Sequence, residues 1–174
     1  MGDDLKAAIG GLREQVAAGA ANSEVVFSAE TRWISGVTCE AKIRDFPPLP
    51  VDEPPLLGGK DSGANPVELL LAALGTCQEI MYAAMAALMD IPLNKVEVNA
   101  RGYLDLKGLL ALDDNIPAGY TEIKFETRLE SPASKEQIAQ LIKMVEDHCP
   151  VMDTLVRSIS VKGKQWLNGE KLKL

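Results

Sequence analysis

The sequence predicts an α+β fold, on three observations. Runs with strand character come in two groups, from Glu24 to Asp45 and from Lys95 to Leu129, each spaced as a pair. Between the groups lies one long apolar helix, Asn65–Met89, and after the second group comes a helix with a polar cap and one apolar stripe. Paired strands with helices set between them suit antiparallel sheets rather than a doubly wound parallel one.

Taken in order, Asp3 to about Ala18 places Leu5, Ile9, Leu12 and Val16 at helical spacing, weakened by Gly10 and Gly11. Ala18–Ser23 reads as a linker, so a helical extension over residues 1–20 should precede one domain over 21–174. The first strand pair turns near Ser35-Gly36 as a hairpin. Six prolines between Phe46 and Pro66 then argue against regular structure, leaving a long surface connection. The central helix has a well-marked start. Asn65 suits the N-cap, Pro66 is preorganised for the first helical position, and Glu68 stands three residues after the cap.

Asp90-Ile91-Pro92 ends that helix. Lys95–Leu106 and Thr121–Leu129 alternate as strands around a turn-rich loop from Leu109 to Tyr120. Ser134–Gln137 is a second capping box, ahead of a stripe of Ile138, Leu141, Ile142 and Val145. Pro150 stops that helix and can start a short one, and Ser158–Lys162 with Gln165–Leu167 should form a closing strand. The central helix is apolar on every face, while one small sheet covers only one side. A second subunit is the economical cover for the other.

Composition removes several function classes. A net charge of −7 argues against a surface that tracks nucleic-acid phosphates. Three cysteines far apart do not make a secreted disulfide framework, and MGDDLKAAIGG lacks the basic and apolar regions of a signal peptide. Gln78 and Glu79 split the central helix into apolar runs of about ten residues, short of the roughly 20 that cross a bilayer. The expectation is a soluble cytoplasmic protein with neither nucleic-acid nor membrane partners.

The chemistry-bearing residues are few. Gly58-Gly59 lies among prolines without a preceding strand, so it offers no phosphate cradle. One histidine, His148, and the scattered cysteines make no zinc-like spacing, and neither metal nor cofactor is expected. No serine sits in a nucleophile-elbow pattern. Thiol chemistry remains. Cys149, in Asp147-His148-Cys149-Pro150, stands where a helix N-cap would fall, and unpaired amides favour a thiolate there; it also suits a plain junction residue. Cys77, amid apolar helix, is either an inert core thiol or a placed reactive one, and Cys39 alternates with its strand neighbours as a structural residue.

GANPVELLLAALGTC, followed about seventy residues later by DHCPVMDTL, resembles the OsmC/Ohr family of thiol peroxidases. Thr31-Arg32-Trp33 and Asp52-Glu53-Pro54-Pro55 with Gly58-Gly59 are similar to its N-terminal half, so the likeness runs over about residues 24 to 163. The resemblance implies an OsmC-like fold in an intertwined homodimer, with antiparallel sheets around two central helices packed back to back. It implies reduction of organic hydroperoxides or hydrogen peroxide, with a dithiol as reductant. By the same resemblance Cys77 is the peroxidatic thiol, Cys149 the resolving thiol, and Arg32 the activating cation, with Arg44 in reserve.

In one place the chain departs from the family pattern. Its peroxidases carry a glutamate directly after "NP", where this chain has Val67; Glu68 follows one residue later, turned by about 100°. Glu68 is also a capping-box residue. It precedes Cys77 by roughly 13 to 14 Å of helix and lies on the opposite face, so a catalytic Glu68 would serve a thiol of the other subunit. Two further readings stand beside the peroxidase. One is a binding protein whose dimer cavity is lined by Met81, Met85 and Trp33, and the other is a thiol redox sensor.

Overall fold

A computed structural model describes residues 2–172. Helix α1 spans Gly2–Ala17 and packs on the central helix, where the Lys6 ammonium meets the Asp90 carboxylate. The first hairpin pairs β1, Glu30–Ser35, with β2, Thr38–Lys42, setting Trp33 opposite Cys39. Gly36 takes the left-handed conformation (φ 54°) that the tight turn requires, and its carbonyl accepts from Trp33 Nε1 at 2.8 Å. The hairpin is shorter than its sequence pattern. Val26 and Phe27, ahead of β1, are 94% and 91% exposed, because no strand lies alongside to pair with them.

The proline-rich connection departs from expectation. Leu49–Val51 forms a third strand, β3, antiparallel to β2 and at the sheet edge. Pro50 is tolerated because an edge residue can do without its N–H. Beyond β3 the chain folds around one carboxylate. Asp52 is 1% exposed and accepts from the N–H groups of Glu53, Lys60 and Ser62, at 2.9, 3.1 and 3.1 Å. The hydroxyls of Ser62 and Thr38 donate to it as well, at 2.7 and 3.3 Å. The loop closes so tightly that a Cβ at Gly59 would stand 1.6 Å from the Glu53 carbonyl oxygen. A 3-10 turn over Pro55–Leu57 completes it.

Asn65 then caps α2, Pro66–Leu88. Its side chain accepts from Glu68 N–H at 2.8 Å, and the Glu68 carboxylate accepts from Asn65 N–H at 3.0 Å. A cap of this kind stabilises a helix by about 1 kcal/mol. Strands β4, Lys95–Leu104, and β5, Tyr120–Glu130, form a hairpin whose alternating residues face α2, with the short helix α3, Leu106–Leu109, in their connection. Gly75 faces Val98 of β4, and Glu79 accepts from the Val98 N–H at 3.1 Å. Helix α4, Lys135–His148, has the expected Ser134–Gln137 capping box, and α5, Pro150–Val156, follows after one residue. The core lies between α2, α4 and this hairpin: Tyr82, Ala86, Ile91, Leu141 and Val145 are buried, with Met81, Met85 and Met89 packed on them.

One expectation fails at the edge of this body. Ser158–Lys162 is not a strand; Val161 is 88% exposed, and strand character without a neighbour to bond leaves only extended chain. The C-terminal pairing is instead β6, Trp166–Leu167, with β7, Glu170–Lys171. The central helix, as expected of an all-round apolar helix beside one small sheet, is not enclosed by its own described residues. Ala73, Thr76, Ile80 and Ala83 form an exposed stripe along it, with Ile80 at 68%.

The Asp52 hub yields a stability prediction. Hydrogen bonds from Ser62 and its neighbours hold this carboxyl far below the ordinary carboxylate range. A depressed folded-state value adds stability at pH above the unfolded value of about 3.9, and that stability fades as pH falls through the folded one. Asp52→Asn should therefore lower Tm by roughly 5 °C or more at pH 7. In thermal melts against pH, the gap from the parent chain should hold steady above pH about 5 and narrow below about 4.

Candidate functional site

The site is built at the corner where α4 gives way to α5. His148 ends α4, and Cys149 takes an extended conformation (φ −71°, ψ 112°) that breaks the helical path. Pro150 cannot donate to the preceding turn and restarts the helix. Cys149 is fully buried, its carbonyl accepts from Asp153 N–H at 2.9 Å, and its thiol caps nothing. Cys77 projects from the middle of α2 onto this corner and is half-buried. The two thiols are close enough to act on each other.

Three influences meet at the Cys77 sulfur. Burial is the largest and pushes the thiol up; the Val151 N–H beside the sulfur pulls it down; the neighbouring Cys149 thiol pushes it up again. Burial wins. Sequence position alone offers the free amides at this helix start to Cys149, which equally suits a plain junction residue. Pro150 has no N–H, so the first free amide of α5 belongs to Val151, and it acts on Cys77. Cys149 stands at the cap position but does not receive the amide.

Arg32 and Glu68 are held elsewhere within the chain. The Arg32 side chain is 72% exposed on β1, and its Nε donates to Glu40 Oε1 at 3.1 Å. Arg44 stacks over the Phe46 ring at 4.6 Å. No guanidinium is among the groups acting on Cys77. Glu68 is engaged in its cap, where its charge pushes the nearby Tyr120 phenol up; burial contributes the larger part of that rise. The Tyr120 hydroxyl donates to Val67 C=O at 3.0 Å and ties β5 to the start of α2. His148 Nδ1 contacts Met144 C=O at 3.0 Å, and Cys39 sits in the first sheet, opposite Trp33 and Val51. Met81 and Met85 are core residues while Trp33 is 70% exposed on β1, so these three do not line one cavity within the chain.

Two residues at the corner carried no functional signal beforehand. Gln78 is completely buried; its Nε2 donates to Met152 Sδ at 3.3 Å and its Oε1 has no partner. Its visible sign in the sequence is a polar residue inside an apolar helix. Beside the corner opens a cleft of about 430 Å³, lined by Leu70, Leu74, Ile123, Phe125, Met152 and Val156 among others. Leu74 lies on α2 one turn before Cys77, and Met152 directly follows Val151.

These features define a two-thiol α+β domain, with one cysteine on a central helix and the second at a helix junction against it. The chain belongs to the OsmC-like protein family, whose sequence profile matches residues 59–164. It is 33% identical over 96 residues to a protein of Mycoplasma genitalium named hydroperoxide reductase; the match takes in 55% of this chain and 64% of that protein's length. Its fold is similar to that of an OsmC-like protein from Mycoplasma pneumoniae, with a TM-score of 0.65 at 22% identity over 76% of this chain and 88% of the other. An organic hydroperoxide resistance protein from Legionella pneumophila gives 0.59 at 17% identity, over 76% of this chain and 92% of the other.

The amide at Cys77 can be removed without touching either thiol. Val151→Pro deletes that N–H at a first-turn position where proline is accepted. The pH midpoint for Cys77 alkylation by a maleimide, followed by peptide mass spectrometry, should move upward. An unchanged midpoint would show that the amide does not act on the sulfur.

Proposed function

We propose that this chain reduces hydroperoxides through a Cys77/Cys149 thiol–disulfide cycle. The observation that carries the reading is the meeting of two sequence-distant thiols at the α2–α5 corner, with an amide beside the first. The names of its relatives, hydroperoxide reductase and organic hydroperoxide resistance protein, supply the substrate class. In this cycle the Cys77 thiolate attacks the terminal oxygen of the hydroperoxide. The O–O bond breaks, the leaving alkoxide takes up a proton to become the alcohol, and Cys77 becomes a sulfenic acid. The Cys149 thiol then attacks that sulfur, expels water and closes a disulfide. A dithiol reductant opens the disulfide by exchange and leaves as its own disulfide.

Burial pushes the Cys77 thiol up, so the cycle needs a cation that the described residues of its own chain do not bring to the sulfur. The reading takes this to be the partner subunit's Arg32, held by Glu68, in a cytoplasmic homodimer. The open stripe along α2 supports it, since an isologous contact would cover the same stripe on both copies. Glu68 and Cys77 lie on opposite faces of one helix, which suits a site shared between chains.

After mild peroxide treatment, non-reducing peptide mapping should find a Cys77–Cys149 intrachain disulfide with Cys39 still reduced. A major product containing Cys39 would overturn the assignment. Sedimentation should give a dimer. Cys77→Ser should abolish turnover, and Arg32→Ala should lower it by about 10²- to 10³-fold, the scale of a lost charge-stabilising donor. Co-refolding those two variant chains should restore part of the activity, because half of the sites in each heterodimer would be intact. No recovery in verified heterodimers would confine the site to one chain.

One observation favours a second reading, a binding protein that uses the cleft without turnover: Cys77 is pushed up rather than down. That reading expects a maleimide midpoint in the assembled protein well above the free-thiol value of about 8.5. A midpoint near neutrality, or sustained peroxide consumption with any dithiol, rejects it.

A further inference from the structure

The contact between Gln78 and Met152 has no part in the thiol cycle. Gln78 is fully buried in mid-helix, gives its Nε2 proton to the Met152 sulfur at 3.3 Å, and leaves Oε1 unpartnered. A thioether is a weak acceptor and an unsatisfied buried amide oxygen is costly, so stability alone would favour an apolar residue here. Met152 also lines the cleft of about 430 Å³, which is mainly apolar with Tyr120, Thr121 and Glu122 at its wall, whereas Gln78 does not. The side chain thus meets a buried amide on the core side and an open apolar cavity on the other. Met81, Met85 and Met89 pack in the core, and Met144 on α4 is 36% exposed away from the cleft.

We propose that Met152 is a second peroxide-reactive sulfur, oxidised to the sulfoxide by an organic hydroperoxide whose apolar group occupies the cleft. The proposal rests on the peroxide reading for the identity of its oxidant. A lone pair on the Met152 sulfur attacks the terminal peroxide oxygen, the S–O bond forms and the O–O bond breaks. The proton on that oxygen passes to the alkoxide, which leaves as the alcohol; sulfur is oxidised by two electrons and the peroxide is reduced by two. The Gln78 amide occupies the core-side lone pair, so the oxygen adds from the cleft and one sulfoxide epimer forms. The lesion is reversible, since each epimer has its own reductase. It also has a consequence for the thiol pair. Met152 follows Val151, so the polar sulfoxide arises on the turn of α5 that faces Cys77.

An apolar cleft concentrates a bulky organic hydroperoxide beside the sulfur and leaves hydrogen peroxide unenriched, which gives the test its contrast. The Cys77→Ser chain is treated in parallel with cumene hydroperoxide and with hydrogen peroxide, and Met152 and Met144 sulfoxides are counted by peptide mass spectrometry. Absence of the thiol cycle from this variant separates the result from any failure of the peroxidase reading. The parent chain with its thiols blocked by N-ethylmaleimide provides a second background, should the variant fold poorly. The Met152:Met144 oxidation ratio should be about tenfold or more higher with cumene hydroperoxide. One epimer-specific methionine sulfoxide reductase alone should reverse the Met152 product, and Gln78→Leu should yield both epimers. An equal ratio with the two peroxides would overturn the proposal.

Discussion

Helix α2 carries more apolar surface than its own chain covers, and much of the architecture follows from that excess. On one side α2 packs against β4 at Gly75 and joins Tyr82 and Ala86 to Leu141 and Val145 of α4 in one buried cluster. Leu141 and Val145 of α4 are 0% exposed in that contact. Burying side chains of this size contributes roughly 1.5–3 kcal/mol each, and together such contacts fix where α4 runs. Where α4 runs decides where Cys149 falls, because the helix ends one residue before it. The other side of α2 stays open along Ala73, Thr76, Ile80 and Ala83. One packing face therefore builds the corner that brings the thiols together, and the other is left bare by the described residues.

The same packing sets the electrostatics of the thiol. A sulfur drawn into an apolar corner loses water, and desolvation disfavours the thiolate more strongly than one amide favours it. The Cys149 thiol adds to the penalty rather than relieving it. The arrangement thus brings a second thiol close while disfavouring the thiolate, which separates proximity from activation. A guanidinium is the group most able to reverse the balance, since it remains charged at any working pH. Within one chain both candidate guanidiniums are engaged elsewhere, Arg32 with Glu40 and Arg44 over Phe46.

Local signals in the sequence located what local physics determines. Both capping boxes, at Asn65–Glu68 and Ser134–Gln137, form with both hydrogen bonds, and the β4–β5 hairpin follows its alternating pattern. What escaped depends on distant partners. Strand β3 was masked by its prolines, because edge tolerance of Pro50 is visible only when β2 lies beside it. Ser158–Lys162 has strand character and no strand neighbour among the described residues. The recipient of the free amide at α5 could not be read from Asp147-His148-Cys149-Pro150, because Cys77 arrives from another helix. Gln78 announced itself as a polar residue in an apolar run, but its acceptor, Met152, lies far along the chain. The meeting of Cys77 and Cys149 entered only through family likeness; spacing alone gave no reason for it.

The three-stranded sheet that carries Arg32 makes its main contacts with none of the other described elements. Every residue of β1 is exposed. A small sheet bare on its faces is marginal in water, so something must hold its pose. Among the described residues it is tied by the loop around Asp52, whose carboxylate accepts from Thr38 at the start of β2 and from Ser62 just ahead of the α2 cap. From there the Asn65 amide reaches Glu53 at 3.4 Å, linking that loop to the helix start. The sheet is therefore aimed from the beginning of α2, while the thiol lies on the opposite face of that helix some turns further on. A rigid tether and a bare sheet are an inefficient way to serve a site in the same chain. They suit delivery of Arg32 to a thiol on a second copy, packed against the open stripe of α2.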